Sequence, residues 1–283
     1  MFKRIFNQKP LRLFDVTMRD GLQSSSKIYT LPEKKELLLN IISNRRPHAL
    51  EIGSLVSPKI LPQMENSLEM YTEAEMYNSL LTGNRNIDIY MLTPNFKSLQ
   101  TAIHNNITNF SFITSVSNSF QTKNVNKNLS QTKSELEQMM ESVNLLPTNN
   151  VKLYISCINE CPISGLIDID HIIQEILYYY YTYENISEIC LSDTCGTLQF
   201  TEFKYIIDSL HKRQIEIDRF SLHLHDQPDN SINLKEIIKY ATINGINKFD
   251  VSYLPNIGGC TVTMKNPTGN LSYDFIRSNA YNH

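Results

Sequence analysis

Apolar residues along this chain fall into two alternating rhythms. Short strand-like runs occur at residues 11–17, 49–53, 87–92, 110–114, 151–156, 188–192, 220–225 and 249–253. Between them the apolar positions recur at three- and four-residue spacing, the period of a helix with one buried face. The clearest case is "TLPEKKELLLNIISNRR", where Thr30 can cap and Pro32 sits in the first turn. Acidic residues come early, Leu37, Leu38, Ile41 and Ile42 share a face, and Arg45 and Arg46 close the end. Phe96, Leu99 and Ile103 repeat the pattern in the third connection, and Leu136, Met139, Met140 and Val143 in the fourth. Phe203, Ile206, Ile207 and Leu210 carry it in the sixth, and "NLKEIIKY" begins it in the seventh. The oily "HIIQEILYYYYTYENI" keeps Glu175 and Glu184 and reads as an amphipathic helix buried through Ile172, Ile173, Ile176, Leu177, Tyr180 and Tyr181.

Strand alternating with helix implies a parallel sheet covered on both faces. Eight such units in 283 residues predict an α/β protein with a (β/α)8 TIM barrel, rather than an open doubly wound sheet. The first strand is not followed by G-x-G-x-x-G, which argues against a dinucleotide fold. The 11 prolines and 9 glycines are spread out and mark no linker, so residues 1–283 are expected to form a single domain. The sequence ends at His283, a few residues into the expected eighth helix. A barrel with such a shortened C-terminal end should expose an apolar flank on its last and first strands unless a second subunit covers it, as in a homodimer.

Charge and cysteine content narrow the partners. A net charge of −3 with scattered Lys and Arg leaves no basic stripe for nucleic acid, and no run approaches the roughly 18 apolar residues of a membrane span. The opening "MFKRIFNQKP" lacks the apolar centre of a secretory signal. Five cysteines without C-x-x-C spacing fit a reducing, cytoplasmic setting better than a disulfide framework or a structural zinc site. Cys157 and Cys161 read as inert thiols, and a small molecule is the expected partner.

A TIM barrel places its chemistry at the carboxyl ends of its strands, so polar residues there carry the functional reading. The first run exits through "DVTMRDGLQ", bringing Arg19, Asp20 and Gln23, although Asp20-Gly21 is also an ordinary turn dipeptide. Glu51 in the second run is a carboxylate among apolar residues and needs a partner, for which Arg19 is available. The sixth run ends in "LSDTCG" with Asp193, the seventh in "HLHD" with His223 and His225, and the eighth leads through "GGC", with Cys260, to "TGN", with Asn270. Residues two apart in a strand point the same way, so the two imidazoles could hold one ion, with Asp20 and Asn270 adding oxygens. Two nitrogens and two oxygens suit Mg²⁺ or Mn²⁺ in six-coordinate geometry, with Zn²⁺ as the softer alternative.

These motifs, with "LEIGSLVSPKILPQM" and "MLTPN", stand in the order found in 3-hydroxy-3-methylglutaryl-CoA lyases. The chain resembles that family of DRE-TIM metallolyases from Asp15 to Asp274. The resemblance implies cleavage of a hydroxyacyl-CoA to acetyl-CoA and acetoacetate. It implies Asp20, His223, His225 and Asn270 as metal ligands, Arg19 as an electrophile and Glu51 as its support. Asp193 would be an acid or orienter, His223 or Asp20 a base, Cys260 a mobile-loop thiol, and Gln23 and Ser54 polar groups near the bound thioester. The sequence departs from the family at Thr261, Val262 and Thr263, where Pro-Tyr-Ala is usual, and at "QSSSKI", which shifts Lys27. Those departures keep three further readings in play: a barrel retained for binding without turnover, a Claisen-type synthase or aldolase, and a metal-dependent hydrolase. Amidohydrolases also use His-x-His, but on their first strand.

Overall fold

Each apolar run becomes one stave of a closed barrel. The computed structural model describes residues 9–81, 86–146, 149–260, 264 and 268–281, so Thr261, Val262 and Thr263 lie outside the described residues. The staves are β1 (Arg12–Asp15), β2 (Ala49–Ser54), β3 (Asp88–Leu92), β4 (Asn109–Ser115), β5 (Asn150–Ser156), β6 (Glu188–Ser192), β7 (Phe220–His223) and β8 (Lys248–Val251). Each pairs in parallel with its sequence neighbours, and β8 closes on β1 with Arg12 opposite Lys248 and Asp15 opposite Val251.

The helices follow the longer period. They are α1 (Leu31–Asn44), α2 (Ser67–Ser79), α3 (Phe96–His104), α4 (Asn118–Val125), α5 (Leu129–Asn144), α6 (Ile169–Thr182), α7 (Phe200–Lys212), α8 (Ser231–Ile243) and α9 (Tyr273–Asn279). At the start of α1 the Thr30 backbone N–H donates to Glu33 Oε2 at 2.8 Å, and the four residues expected on its buried face are buried. In α6 the buried stripe runs Ile172, Ile173, Ile176 and Tyr179, while Tyr181 is exposed. The apolar run there is too continuous for its facing to be read from composition, and the 3.6-residue pitch selects Tyr179 over Tyr181. The fourth connection, expected as one helix, is two: Asn126 in left-handed conformation ends α4, and Asn128 caps α5.

Alternation along the strands sorts side chains into two cores. Leu13, Phe110, Phe112, Leu153, Ile155, Leu191, Leu222, Phe249 and Val251 face the helices, whereas Phe14, Val16, Ala49 and Tyr90 pack inside the barrel. The expected bare flank is not found among the described residues. Leu13, Phe249 and Val251 are buried, and so are Tyr273 and Ile276 of α9.

Asp15 ties that helix to β1. Its carboxylate is fully buried and accepts hydrogen bonds from Tyr273 Oη at 2.7 Å and from the Thr17 backbone at 2.8 Å. Burial outweighs those bonds and raises its pKa from 3.8 to about 6. The native state therefore holds this proton more tightly than the unfolded chain. Between those two pKa values the unfolded chain ionises first, and the contribution of Asp15 to stability falls as pH rises. Asp15→Asn removes this dependence. Its stability relative to the parent should climb between pH 4 and pH 7 by up to about 3 kcal/mol. Urea melts across that range measure the difference, and a flat difference would contradict the assignment.

Candidate active site and metal centre

The carboxyl mouth of the barrel gathers the predicted residues by distinct local means. After β1 the backbone makes a wide π-type turn over Thr17–Gly21, which buries Arg19 and Asp20 side by side. The Arg19 Nη1 donates to Asp20 Oδ1 at 2.6 Å, and its Nε donates to Glu51 Oε2 on β2. Tyr154 on β5 donates to the same Glu51 oxygen at 3.3 Å, and the guanidinium carbon lies 5.3 Å from its ring centroid. Burial opposes the charge on Arg19, but Glu51 and Asp20 hold its pKa well above the ordinary value. Asp20 is likewise opposed by burial and held well below its ordinary pKa, chiefly by Arg19 and then by the two histidines.

The seventh strand ends earlier than its sequence suggests. It stops at His223, and His225–Asp226 instead pairs antiparallel with Gly269–Asn270, placing His225 opposite Asn270. That exchange of partners delivers Asn270 to the site. Its Nδ2 donates to Asp20 Oδ2 at 2.9 Å, and the Gly259 backbone donates to the same oxygen at 2.9 Å. Gly258, at φ +134°, leaves room for the amide, since a Cβ there would lie 2.4 Å from Asn270 Cγ.

Asp20, His223 and His225 present ligand atoms within 4.8 Å of one another, all buried. His225 Nδ1 donates to the Asp193 carbonyl at 2.8 Å, which leaves the Nε2 lone pair for the site. That Nε2 and Asn270 Oδ1 are buried without hydrogen-bond partners. Two orphaned acceptors beside a carboxylate and a second imidazole form a donor set that fits a divalent cation. Burial and the adjacent His223 also push the His225 pKa down to about 4, so its ring is neutral, as ligation requires.

A cavity of about 160 Å³ opens over this cluster. Arg19, Asp20, Gln23, Ser54, His223, His225 and Cys260 line it, with Leu61, Ile113, Phe120 and Val125 on the apolar side. Glu51, Asp193 and Asn270 stand behind that lining. The Asp193 carboxylate accepts from the backbones of Thr197 and Leu198, at 3.2 and 3.1 Å, and so shapes its own loop. Cys260 packs against a small cluster of Phe120, Cys157 and Cys161. Cys161, expected to be inert, accepts from Ser117 Oγ at 3.0 Å. Burial raises its pKa, but hydrogen bonds from Ser117, Ser164 and Ser119 bring it down to about 7.

Three residues of this mouth escaped the sequence reading: Asp250, Lys152 and Tyr154. His223 Nδ1 lies 3.1 Å from Asp250 Oδ2, and Asp250 Oδ1 accepts from the buried Lys152. The signal was available, because a charge inside an apolar run demands a partner, and "NVKLYIS" and "KFDVSY" each contain one.

Residues 10–252 match the family described as HMGL-like. Over 276 residues the chain is 26% identical to a Pseudomonas aeruginosa protein named 3-hydroxy-3-isohexenylglutaryl-CoA/hydroxy-methylglutaryl-CoA lyase, a match that spans 95% of this chain and 84% of that one. It is 27% identical to the mouse cytoplasmic 3-hydroxy-3-methylglutaryl-CoA lyase, over 93% of this chain and 71% of the relative. The crystal structure of the hydroxymethylglutaryl-CoA lyase from Pseudomonas aeruginosa superposes with a TM-score of 0.79 at 25% identity, covering 95% of this chain and 84% of that one. An HMG-CoA lyase structure from Acinetobacter baumannii, in complex with coenzyme A and 3-methylmalate, has the same fold, with a TM-score of 0.79 at 23% identity over 95% and 82% of the two chains.

Proposed function

The chain belongs to the HMGL-like family, and from that membership we propose a divalent-metal-dependent carbon–carbon lyase that splits 3-hydroxy-3-methylglutaryl-CoA, or a close hydroxyacyl-CoA, into acetyl-CoA and acetoacetate. The observation that carries this reading is the convergence of Asp20, His223 and His225 within 4.8 Å, beside the Arg19–Glu51 pair.

Asp20, His223, His225 and Asn270 would hold Mg²⁺ or Mn²⁺, which supplies Lewis acidity toward the substrate hydroxyl and fixes its orientation. The remaining chemistry belongs to this chain's own residues. His223 Nε2, or Asp20 through a water, takes the hydroxyl proton. The oxygen electron pair then forms the ketone carbonyl, and the bond between C2 and C3 breaks toward the thioester as an enolate. Arg19, held by Glu51 Oε2, accepts the charge that develops on the thioester oxygen. The Cys260 thiol, in the cavity wall, donates the proton that turns the enolate carbon into the methyl group of acetyl-CoA. Asp193 acts as the orienter of His225 through its backbone carbonyl. Gln23 and Ser54 give the cavity polar contacts for the acyl-thioester.

No helix among the described residues is long and apolar enough to cross a membrane, and the site takes a small acyl-thioester as its partner. The full chain, stripped with a chelator, should be inactive toward 3-hydroxy-3-methylglutaryl-CoA and should regain acetoacetate release on addition of Mg²⁺ or Mn²⁺. Release that is indifferent to chelation, or no cleavage of this or a longer-branched hydroxyacyl-CoA with either ion, would defeat the proposal.

A further inference from the structure

Below the metal centre the barrel interior contains a buried ion pair that the proposed reaction does not use. Lys152, on β5, is fully buried, with its ammonium 3.6 Å from the Phe14 ring centroid. It pairs with Asp250 Oδ1 and lies 3.0 Å from Glu188 Oε1. Asp250 is 2% exposed and divides its two oxygens, giving Oδ1 to Lys152 and Oδ2 to His223 Nδ1. The Tyr154 ring stands edge-on to the His223 ring at 5.9 Å.

We propose that Asp250 and Lys152 form a positioning unit that fixes His223 in the tautomer with its proton on Nδ1 and its Nε2 lone pair directed at the metal centre. This inference rests on the metal-holding part of the proposed function. A carboxylate can only accept, so Oδ2 requires a proton on His223 Nδ1 and leaves Nε2 as the ligand atom. Lys152 secures the arrangement by occupying the other oxygen. If Asp250 served only as a counter-ion for Lys152, nothing would require its second oxygen to meet the imidazole; Glu188 already stands within ion-pair distance of the ammonium.

Asp250→Asn separates the two cases. An amide has one acceptor oxygen, and the ammonium, which can only donate, claims it. The amide N–H₂ then faces His223, favouring the opposite tautomer with a proton on Nε2. The full chain labelled with ¹⁵N, free and with Mg²⁺, should show His223 protonated at Nδ1 in long-range ¹⁵N–¹H spectra. In Asp250→Asn the proton should move to Nε2, and the dissociation constant for Mn²⁺ should rise by about 10- to 100-fold. In the double variant Lys152→Met/Asp250→Asn no ammonium competes for the amide oxygen, so the parental tautomer and most of the Mn²⁺ affinity should return. The double variant also avoids an uncompensated buried charge, and with the parent spectrum it decides the matter if the single variant does not fold. A parent His223 protonated at Nε2, or unchanged Mn²⁺ affinity in a folded Asp250→Asn chain, would overturn the proposal. A double variant as weak as the single one would remove Lys152 from the unit. None of these readouts requires turnover, so a chain with the expected tautomer and no lyase activity would refute the proposed reaction and leave this inference standing.

Discussion

Arg19→Met is expected to lower turnover by about 10²- to 10³-fold, with a much smaller change in KM, because the guanidinium is assigned to charge that exists only after the carbon–carbon bond begins to break. Ground-state binding draws on the whole acyl-thioester and depends less on this contact. The substitution also leaves Glu51, fully buried, without its ion-pair partner, at a cost to folding of about 3–5 kcal/mol. Two companions separate catalysis from stability. Arg19→Met/Glu51→Gln removes the stranded carboxylate and should recover most of the lost stability while remaining slow. Arg19→Lys keeps the charge, but one ammonium cannot reproduce a fork that binds Glu51 through Nε and Asp20 through Nη1, so it should be slow as well. Steady-state kinetics alongside thermal melts read both effects. A folded Arg19→Met chain with normal turnover would end the role given to this residue.

The sequence was most legible where a physical period was strong. Strands buried on both faces read as apolar runs, and Glu188–Ser192 emerged with the bounds its run suggested, because its outward Ile189 and Leu191 flank an equally buried Cys190. The π-type turn at Thr17–Gly21 was not legible. It arises from the tertiary demands of Arg19 and Asp20, which must face partners on β2 and on the loop after β8, and local propensity carries no mark of that. The break after His223 was hidden for a related reason: Leu224 continues the apolar alternation, and the partner that captures His225 lies 45 residues later, at Asn270. Asp193 shows what motif position leaves open, since placement at a strand end does not say whether its carboxylate or its carbonyl faces the site. Asp250 and Lys152 show the reverse. The desolvation argument that flagged Glu51 applied to them equally, but both point inward below the mouth, where a reading confined to the strand ends does not look.

His225→Ala is expected to abolish metal-linked stabilisation and to cost turnover about 10³-fold or more, in keeping with the several kcal/mol that a Lewis acid contributes to such a step. Mn²⁺ at about 100 times its dissociation constant should add about 2.7 kcal/mol to the stability of the parent, which for a chain of this length raises the melting temperature by about 4–5 °C. Losing one ligand should weaken binding at least about 100-fold, since even an outer hydrogen-bond partner is worth about 10- to 100-fold. At the same Mn²⁺ concentration the stabilisation then falls to about 0.4 kcal/mol, and the shift nearly vanishes. Stability without metal carries opposing contributions. The alanine leaves a cavity and frees the Asp193 carbonyl, yet it also removes Nε2, a buried acceptor with no hydrogen-bond partner. The discriminating quantity is therefore the metal-induced shift, read by calorimetry with and without Mn²⁺. A histidine kept only for packing would lower both melting temperatures together and leave that shift intact, whereas a ligand removes the shift whatever happens to the metal-free fold.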